Sequence, residues 1–216
     1  YQRSRGLGDV YKRQLQDLMQ TYHEETLKMN PLRATYQGDT RYNNYLPNYL
    51  SDDVMRKHKA FYKDILEELS NIDYKSLSEE DQLSKEILIW ECEISLMGIE
   101  FPRELLPIDQ MWTLQLTIGQ LATGTGAQPF KTVEDYENWL SRVDDYVVWL
   151  SSAKTRMAEG IEQGVVLPKS LIRKVVPQLA SITQADLEKN IFYTPARNFP
   201  ADFTESQKEK LSKAYA

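Results

Sequence analysis

The chain has 216 residues, of which 41% are hydrophobic and 27% are charged, and its formal net charge is -6. This composition is typical of a soluble globular protein with enough apolar material for one or two cores. An acidic surface disfavours nucleic acid and anionic membranes as general partners, and no apolar run reaches the roughly 18 residues of a membrane span.

The first fourteen residues differ in character from the rest of the chain. They carry four basic side chains and one acidic side chain, namely Arg3, Arg5, Lys12, Arg13 and Asp9. The block resembles the translation of a sequencing-library adapter fused to an open reading frame at the end of a metagenomic contig. We therefore expect residues 1–14 to be a non-native leader and the true N-terminus, with any signal peptide, to be missing. The competing interpretation is a genuine basic tail for an acidic partner.

A first amphipathic helix is predicted over residues 15–29, with an apolar face formed by Leu15, Leu18, Met19, Tyr22 and Met29. It ends at Asn30 because a residue before proline avoids the helical region. The tyrosine loop, residues 31–50, follows; it is rich in turn residues and carries tyrosines at positions 36, 42, 45 and 49. Such a cluster can line a sugar or peptide groove, but more often it fixes an irregular loop to the helices beneath it.

Two further helices are predicted before residue 101. Ser51 can cap the second helix, which has Val54, Phe61, Ile65 and Leu69 on its inner face. Ser78 and Asp81 have the spacing of a capping box and begin the third. Its predicted inward residues follow a three-four repeat: Leu83, Ile87, Trp90, Ile94 and Met97. Additional apolar residues widen this stripe, so we expect the third helix to contact neighbours on more than one side.

The longest helical pattern runs from Thr132 to about Gly164, and we expect the other helices to pack against it. Thr132 and Asp135 have capping-box spacing, and Gly160 and Gly164 mark where the helix can end. Its predicted apolar face consists of Tyr136, Trp139, Leu140, Val143, Val147, Leu150, Met157 and Ile161.

The segments on either side of the longest helix are also predicted to be helical. Residues 102–128 are interpreted as a short helix and a loop, because a single strand would leave its backbone polar groups unsatisfied. A segment from Leu167 to about Ile182 carries Pro177, which is liable to kink it, and Thr204 with Gln207 caps a last helix. The predicted fold class is therefore an all-α, multi-helix array.

Four groups of residues were considered as sites of chemistry. His23 and Glu24 match the first half of an H-E-x-x-H zinc motif, but Leu27 stands where the second histidine is required. A site of His23, His58 and a carboxylate stays open, although nothing in the spacing supports it. Residues 119–126 (GQLATGTG) resemble a phosphate loop, but Thr125 replaces the lysine.

The remaining two groups are the adjacent carboxylates and the single cysteine. The pairs at 144–145, 79–80 and 24–25 diverge around their helices, so we interpret them as solvated helix faces. Cys92 is the only cysteine, which excludes an internal disulfide, and we expect a buried, unreactive thiol. The sequence analysis assigns no catalytic, cofactor-binding or metal-binding residue.

Several stretches, taken in order, resemble one bacterial family. They are PLRATYQGDTRYNNYLP, LLPIDQM, QPFKTVEDYENWLSRV, RMAEGIEQGVVLPKSLIRKVVPQL and the step from Phe192 to Pro200. The family is the domain of unknown function numbered 885, whose members look like all-helical zinc metallopeptidases and often carry a signal peptide or lipoprotein anchor. Its H-E-x-x-x-G-H-H-type motif lies beyond the equivalent of Ala216, so no functional residue is carried over.

The resemblance implies that residues 15–216 are the incomplete N-terminal region of a larger single helical domain. In the parent hydrolase this region would form a cleft wall and part of a lid, with the tyrosine loop and the glycine turn, Gly124–Phe130, facing the substrate. Zinc is expected only in the full-length parent, and the expected partners are the missing C-terminal half and a peptide substrate. The compartment stays open, with periplasm or a lipoprotein implied by the resemblance. The alternative is a non-catalytic helical binding or scaffold domain of the cell envelope.

Overall fold

A computed structural model of the chain describes the backbone of residues 2–216 and the side chains of residues 8–216. Within that range the chain forms nine α-helices and no β-strand, which confirms the predicted all-α class. The helices are α1 (Gln2–Met29), α2 (Pro31–Tyr36), α3 (Asp52–Ser70), α4 (Glu79–Ile99), α5 (Leu114–Ala122), α6 (Val133–Gln163), α7 (Lys169–Ile182), α8 (Thr194–Arg197) and α9 (Glu205–Tyr215). None of them, within the residues described, has the length and apolarity needed to cross a bilayer.

The helix ends follow from the capping residues that the sequence predicted. Thr132 Oγ1 accepts a hydrogen bond from the Asp135 amide at 3.2 Å, and the Asp135 carboxylate accepts one from the Thr132 amide at 2.9 Å. Thr204 and Gln207 form the same reciprocal pair at the start of α9. At its other end α6 closes on Gly164, whose φ of 73° is unstrained only for a residue without a Cβ.

The chain divides into two compact units, and the first contains the residues up to Met29 together with Ser51–Pro102. Helices α1, α3 and α4 contact one another in this unit. Its buried core consists of Leu15, Leu18, Ile65, Leu69, Ile72, Leu77, Leu88 and Cys92. Cys92 is buried, as predicted, and burial raises the pKa of its thiol to about 11.

Helix α1 begins at Gln2, whereas the sequence analysis places the start of the first helix at Leu15. Tyr11 packs on the core of the first unit, and the Lys12 ammonium lies 3.7 Å from the Asp81 carboxylate. The adapter origin of residues 1–14 stays a prediction. A segment of any origin can extend a neighbouring helix if its residues tolerate the helical conformation, so the helical structure of these residues does not test where they come from.

The buried face of α4 is the opposite of the predicted one. The five residues expected to face inward are each 43–58% exposed: Leu83, Ile87, Trp90, Ile94 and Met97. Lys85, Leu88 and Cys92 meet the core instead, and the Lys85 ammonium donates a hydrogen bond to the Ile72 carbonyl at 2.6 Å. The prediction was wrong because α4 is apolar on two faces, and periodicity does not tell which of them the neighbouring helices cover.

The second unit contains Asn30–Leu50 and Arg103–Ala216, and α6 is its longest helix. Its main core combines residues from α6 with residues from the tyrosine loop, α5 and α7; these include Leu46, Leu50, Ile118, Leu121, Trp139, Tyr146, Trp149, Ala153 and Val175. A smaller aromatic cluster surrounds the buried ring of Tyr136, which contacts Phe130, Phe199, Phe203 and Tyr215.

The buried stripe of α6 is also displaced from the predicted one. Tyr136 and Trp139 are fully buried as expected, but Val147 and Ile161 are 55% and 70% exposed. The observed stripe passes instead through the residues Tyr136, Trp139, Arg142, Tyr146, Trp149, Ala153 and Gly160. The observed stripe includes the charged residue Arg142. An analysis that looks only for regularly spaced apolar residues therefore selects Val143 and Val147 in place of Arg142 and Tyr146.

We predict that Gly160→Ala destabilises the second unit by about 1–3 kcal/mol through overpacking. A Cβ atom at this position would lie 2.7 Å from the Val165 carbonyl oxygen and 3.1 Å from that of Leu105. In Gly98→Ala, the matched control on α4, the added Cβ meets no atom within 4 Å, so stability should be unchanged or rise by up to about 1 kcal/mol. Urea unfolding followed by circular dichroism measures both, and equal effects would contradict the close approach at Gly160.

Candidate functional site

Arg142, in the middle of α6, is fully buried in the second unit. Its guanidinium donates hydrogen bonds to oxygen atoms of Tyr45 (backbone, 3.2 Å), Gln128 (side chain, 2.6 Å), Thr35 (side chain, 3.0 Å) and Tyr42 (backbone). Burial lowers the pKa of Arg142 to about 10, which still leaves the side chain charged at neutral pH. These bonds compensate for the loss of hydration of the buried charge.

The partners of Arg142 come from the two segments that the sequence analysis placed next to the substrate. Three of its contacts lie in the tyrosine loop, and the fourth is Gln128 of the glycine turn, which is itself buried. Gly124 begins that turn with a φ of 76°, and the ring of Phe130 ends it against Trp139, at 5.9 Å between centroids. One buried side chain therefore holds both segments in place.

Further polar residues of α6 hold the remainder of the tyrosine loop. These contacts run from the Leu46 amide to Asp145 Oδ2 (2.9 Å), from Asn48 Nδ2 to Ser152 Oγ (2.7 Å) and from Arg156 Nε to the Leu50 carbonyl (2.9 Å). Arg142, Asp145, Ser152 and Arg156 follow one another at helical spacing on one face of α6. The loop is thus fixed mainly through its backbone.

The four tyrosines of the loop have different environments. Tyr49 packs against Trp149 with 5.9 Å between ring centroids, and desolvation raises its pKa to about 12. Tyr36 and Tyr45 are 53% and 43% exposed, and Tyr42 is half-buried beneath the Arg41 guanidinium. Tyr49 keeps 38% of its surface exposed but contacts the core through Trp149, as the more common interpretation of such clusters expects.

A model of the bacterial protein family of unknown function DUF885 matches residues 31–216. The chain belongs to this family. The match covers the tyrosine loop, the glycine turn and all of α6, and it confirms the resemblance that the sequence motifs indicate. No curated protein and no solved structure matches the chain. Because the family description names no activity, the function of this DUF885 chain has to be argued from its own residues.

The histidines of this DUF885 chain lie on two helices of the first unit. His23 is exposed on α1, and His58 is half-buried on α3, where burial lowers its pKa. Among the residues that the structure describes, no group of three His, Cys, Asp or Glu side chains is arranged to hold a metal ion.

The glycine-rich stretch at 119–126 lies at the C-terminal end of α5. The carbonyl end of a helix repels anions, whereas a phosphate loop needs the amide end. Thr123 and Thr125 instead hydrogen-bond to each other, with 2.9 Å between their hydroxyl oxygens. The stretch therefore forms a turn that leads to Gln128 and the Arg142 contacts.

Asp144 and Asp145 diverge around α6 as helical geometry requires, but only Asp144 lies on the solvated face that the sequence analysis expects for the pair. Asp144 is exposed, whereas Asp145 faces the tyrosine loop and accepts the Leu46 amide hydrogen bond. Sequence reasoning missed the importance of both Arg142 and Asp145. The sequence did contain an indication: Arg142 lies at helical spacing from the large aromatic residues of α6 and therefore on the same face. This pattern is typical of a buried arginine that binds backbone carbonyls.

We predict that Arg142→Met destabilises the protein by about 3–5 kcal/mol, because it leaves several buried oxygen atoms without a donor. The exposed Arg173 on α7 provides a matched control, and Arg173→Met should change stability by no more than about 0.5 kcal/mol. Chemical denaturation measures both values, and limited proteolysis should show faster cleavage within residues 35–45 in the Arg142 variant only. Unchanged protection of this segment would contradict its attachment to Arg142.

Alkaline pH should destabilise the second unit through buried tyrosines. Burial raises the pKa of Tyr146 from 10.0 to about 12, and its hydroxyl has no hydrogen-bond partner among the described atoms. The unfolded chain ionises first, so the stability that the neutral phenol contributes is complete below pH 10 and is lost as the pH rises through 12. Over this pH range the free energy of unfolding, measured with urea, should fall by up to about 3 kcal/mol less in Tyr146→Phe than in the unmodified protein. Equal losses in the two proteins would count against the shift.

Proposed function

We propose that this chain is the helical, non-catalytic portion of a zinc-dependent, peptidase-like hydrolase, in which it forms a wall and part of the lid of the substrate cleft. The observation that carries the proposal is the attachment of the tyrosine loop and the glycine turn to the single buried side chain of Arg142. A substrate-facing surface has to be held in place before the substrate arrives, and the attachment to Arg142 supports this role for the loop and the turn.

The loop combines a fixed backbone with aromatic side chains that are exposed, as at Tyr45, or half-buried, as at Tyr42. Arg142 binds Tyr42 and Tyr45 through their backbone carbonyl oxygens, so a substitution of either side chain leaves these acceptors in place. A tyrosine ring offers a large contact area and a hydroxyl group and has few rotatable bonds, so it loses little entropy on binding. These properties of the tyrosine side chain suit the binding of a peptide substrate.

Zinc does not fit the residues described here, because they offer no cluster of three potential ligands. In this proposal the metal and the catalytic glutamate come from the C-terminal half of the same protein, and no residue of this chain carries out a chemical step. In this proposal the parent is a periplasmic protein or a lipoprotein, as the family resemblance implies.

A second candidate function is a non-catalytic helical scaffold of the bacterial cell envelope. The observation that favours it is the exposed apolar stripe on α4, which is typical of a protein-binding surface. Reading the genomic open reading frame past Ala216 separates the two candidates. An H-E-x-x-H-type motif downstream supports the hydrolase, and a stop codon or an unrelated sequence supports the scaffold.

We predict that Tyr42→Ala and Tyr45→Ala, made at the equivalent positions of a full-length homologue, raise KM for a peptide substrate by roughly threefold to thirtyfold and change kcat less. The expected size corresponds to the loss of one aromatic contact of about 0.5–2 kcal/mol. Both variants keep the backbone carbonyls that Arg142 binds. Tyr74, which is similarly exposed in the first unit, provides the control Tyr74→Ala. Unchanged kinetics in the two loop variants would contradict a substrate-facing loop.

A further inference from the structure

Helix α4 carries an apolar stripe on the side away from the core of the first unit. Five residues form it, at steps of four, three, four and three: Leu83, Ile87, Trp90, Ile94 and Met97. This spacing is the a and d pattern of a coiled-coil seam, with positions 87 and 94 as a and positions 83, 90 and 97 as d. Lys85 and Cys92 occupy the f positions of the same register, opposite the seam, and they are the residues that face the core.

The stripe is long enough to take a helix. At a rise of 1.5 Å per residue the fourteen steps from Leu83 to Met97 span about 21 Å, or four helical turns. Phe101, which is 59% exposed, follows at the next step of the repeat just beyond the helix end. An apolar surface of this extent, in a regular 3.5-residue register, is typical of a helix-binding face.

The residues that flank the seam are acidic. Glu86 and Glu93 occupy g positions and Glu91 an e position, while the other e positions of α4 hold Ser84 and Gly98. No basic side chain of α4 flanks the seam. Glu86 accepts a hydrogen bond from the Tyr74 hydroxyl, whereas Glu91 and Glu93 form no ion pair within the described part of the chain.

These charges disfavour a second copy of the chain as the occupant. A parallel pair of α4 helices would bring Glu86 of one copy beside Glu91 of the other, and an antiparallel pair would bring the g-position glutamates together. Like charges at these positions oppose association, whereas lysine and arginine at the flanking positions of a partner would favour it.

We propose that the exposed stripe of α4 binds an amphipathic helix of a partner protein whose apolar seam is flanked by lysine and arginine. The seam supplies the apolar contact, and the three flanking glutamates select the basic partner. This inference does not depend on the proposed hydrolase function, because it rests on the first unit alone.

Two labelled synthetic helices of about three heptads test the proposal, both with leucine at a and d; one has lysine at e and g, and the other has glutamate. Fluorescence anisotropy with the purified chain should show binding of the lysine peptide at least tenfold tighter than that of the glutamate peptide. The affinity for the lysine peptide should fall as salt is raised, because partly exposed charge pairs are screened.

Variants of the chain locate the site. Ile94→Glu should weaken binding of the lysine peptide at least tenfold, whereas Val148→Glu, at a similarly exposed valine on α6, should leave it unchanged. The double variant Glu91→Lys/Glu93→Lys retains the apolar seam and should reverse the preference in favour of the glutamate peptide. Circular dichroism spectra and melting curves establish that each variant is folded.

Several outcomes would overturn the proposal. One is the absence of binding by the lysine peptide, and another is equal binding of the two peptides by the unmodified chain. Retention of the lysine preference in Glu91→Lys/Glu93→Lys would show that the glutamates do not select the partner. A dimer in light scattering that Ile94→Glu abolishes would assign the stripe to a second copy of the chain.

Discussion

The organisation of the second unit depends on a buried positive charge. Moving a guanidinium out of water costs several kcal/mol unless its donors find acceptors, and Arg142 finds them in Thr35, Tyr42, Tyr45 and Gln128. These acceptors belong to two segments that are far apart in sequence. The hydrogen bonds of the single Arg142 side chain therefore fix both segments. The tyrosine loop, which is irregular over most of its length, and the glycine turn therefore have a defined position relative to α6.

The two units use their helices in different ways. In the second unit α6 has core residues and loop-binding polar residues along its length, so the same helix contributes to the core and holds the tyrosine loop. In the first unit α4 packs with one face only and leaves a regular apolar seam exposed. An exposed stripe of this kind lowers solubility unless a partner covers it, which is the basis of the proposed helix-binding role of α4.

The family of this chain is shown by a family-model match, whereas its function is a proposal. The match over residues 31–216 makes the chain a DUF885 protein, and the family description leaves its chemistry open. Both proposals give this chain a role in holding a substrate or a partner, and they start from a fixed aromatic loop and an exposed seam. The hydrolase proposal assigns this chain the task of positioning the substrate and leaves the reaction to the metal-binding part of the parent.

The sequence by itself determined the long helices and those of their ends that are capped locally: Thr132 with Asp135 and Gly164 needed only their nearest neighbours along the chain. It also indicated the two segments that meet at Arg142. It missed the start of α1 at Gln2 and the short helices α2 and α8. Only the tertiary structure decided which face each helix buries. The stripe from Leu83 to Met97 and the stripe through Leu88 and Cys92 are both apolar, and the choice between them depends on α1 and α3. The burial of Arg142 was likewise beyond sequence reasoning, since its acceptors lie 14 to 107 positions away along the chain and no local pattern brings them together.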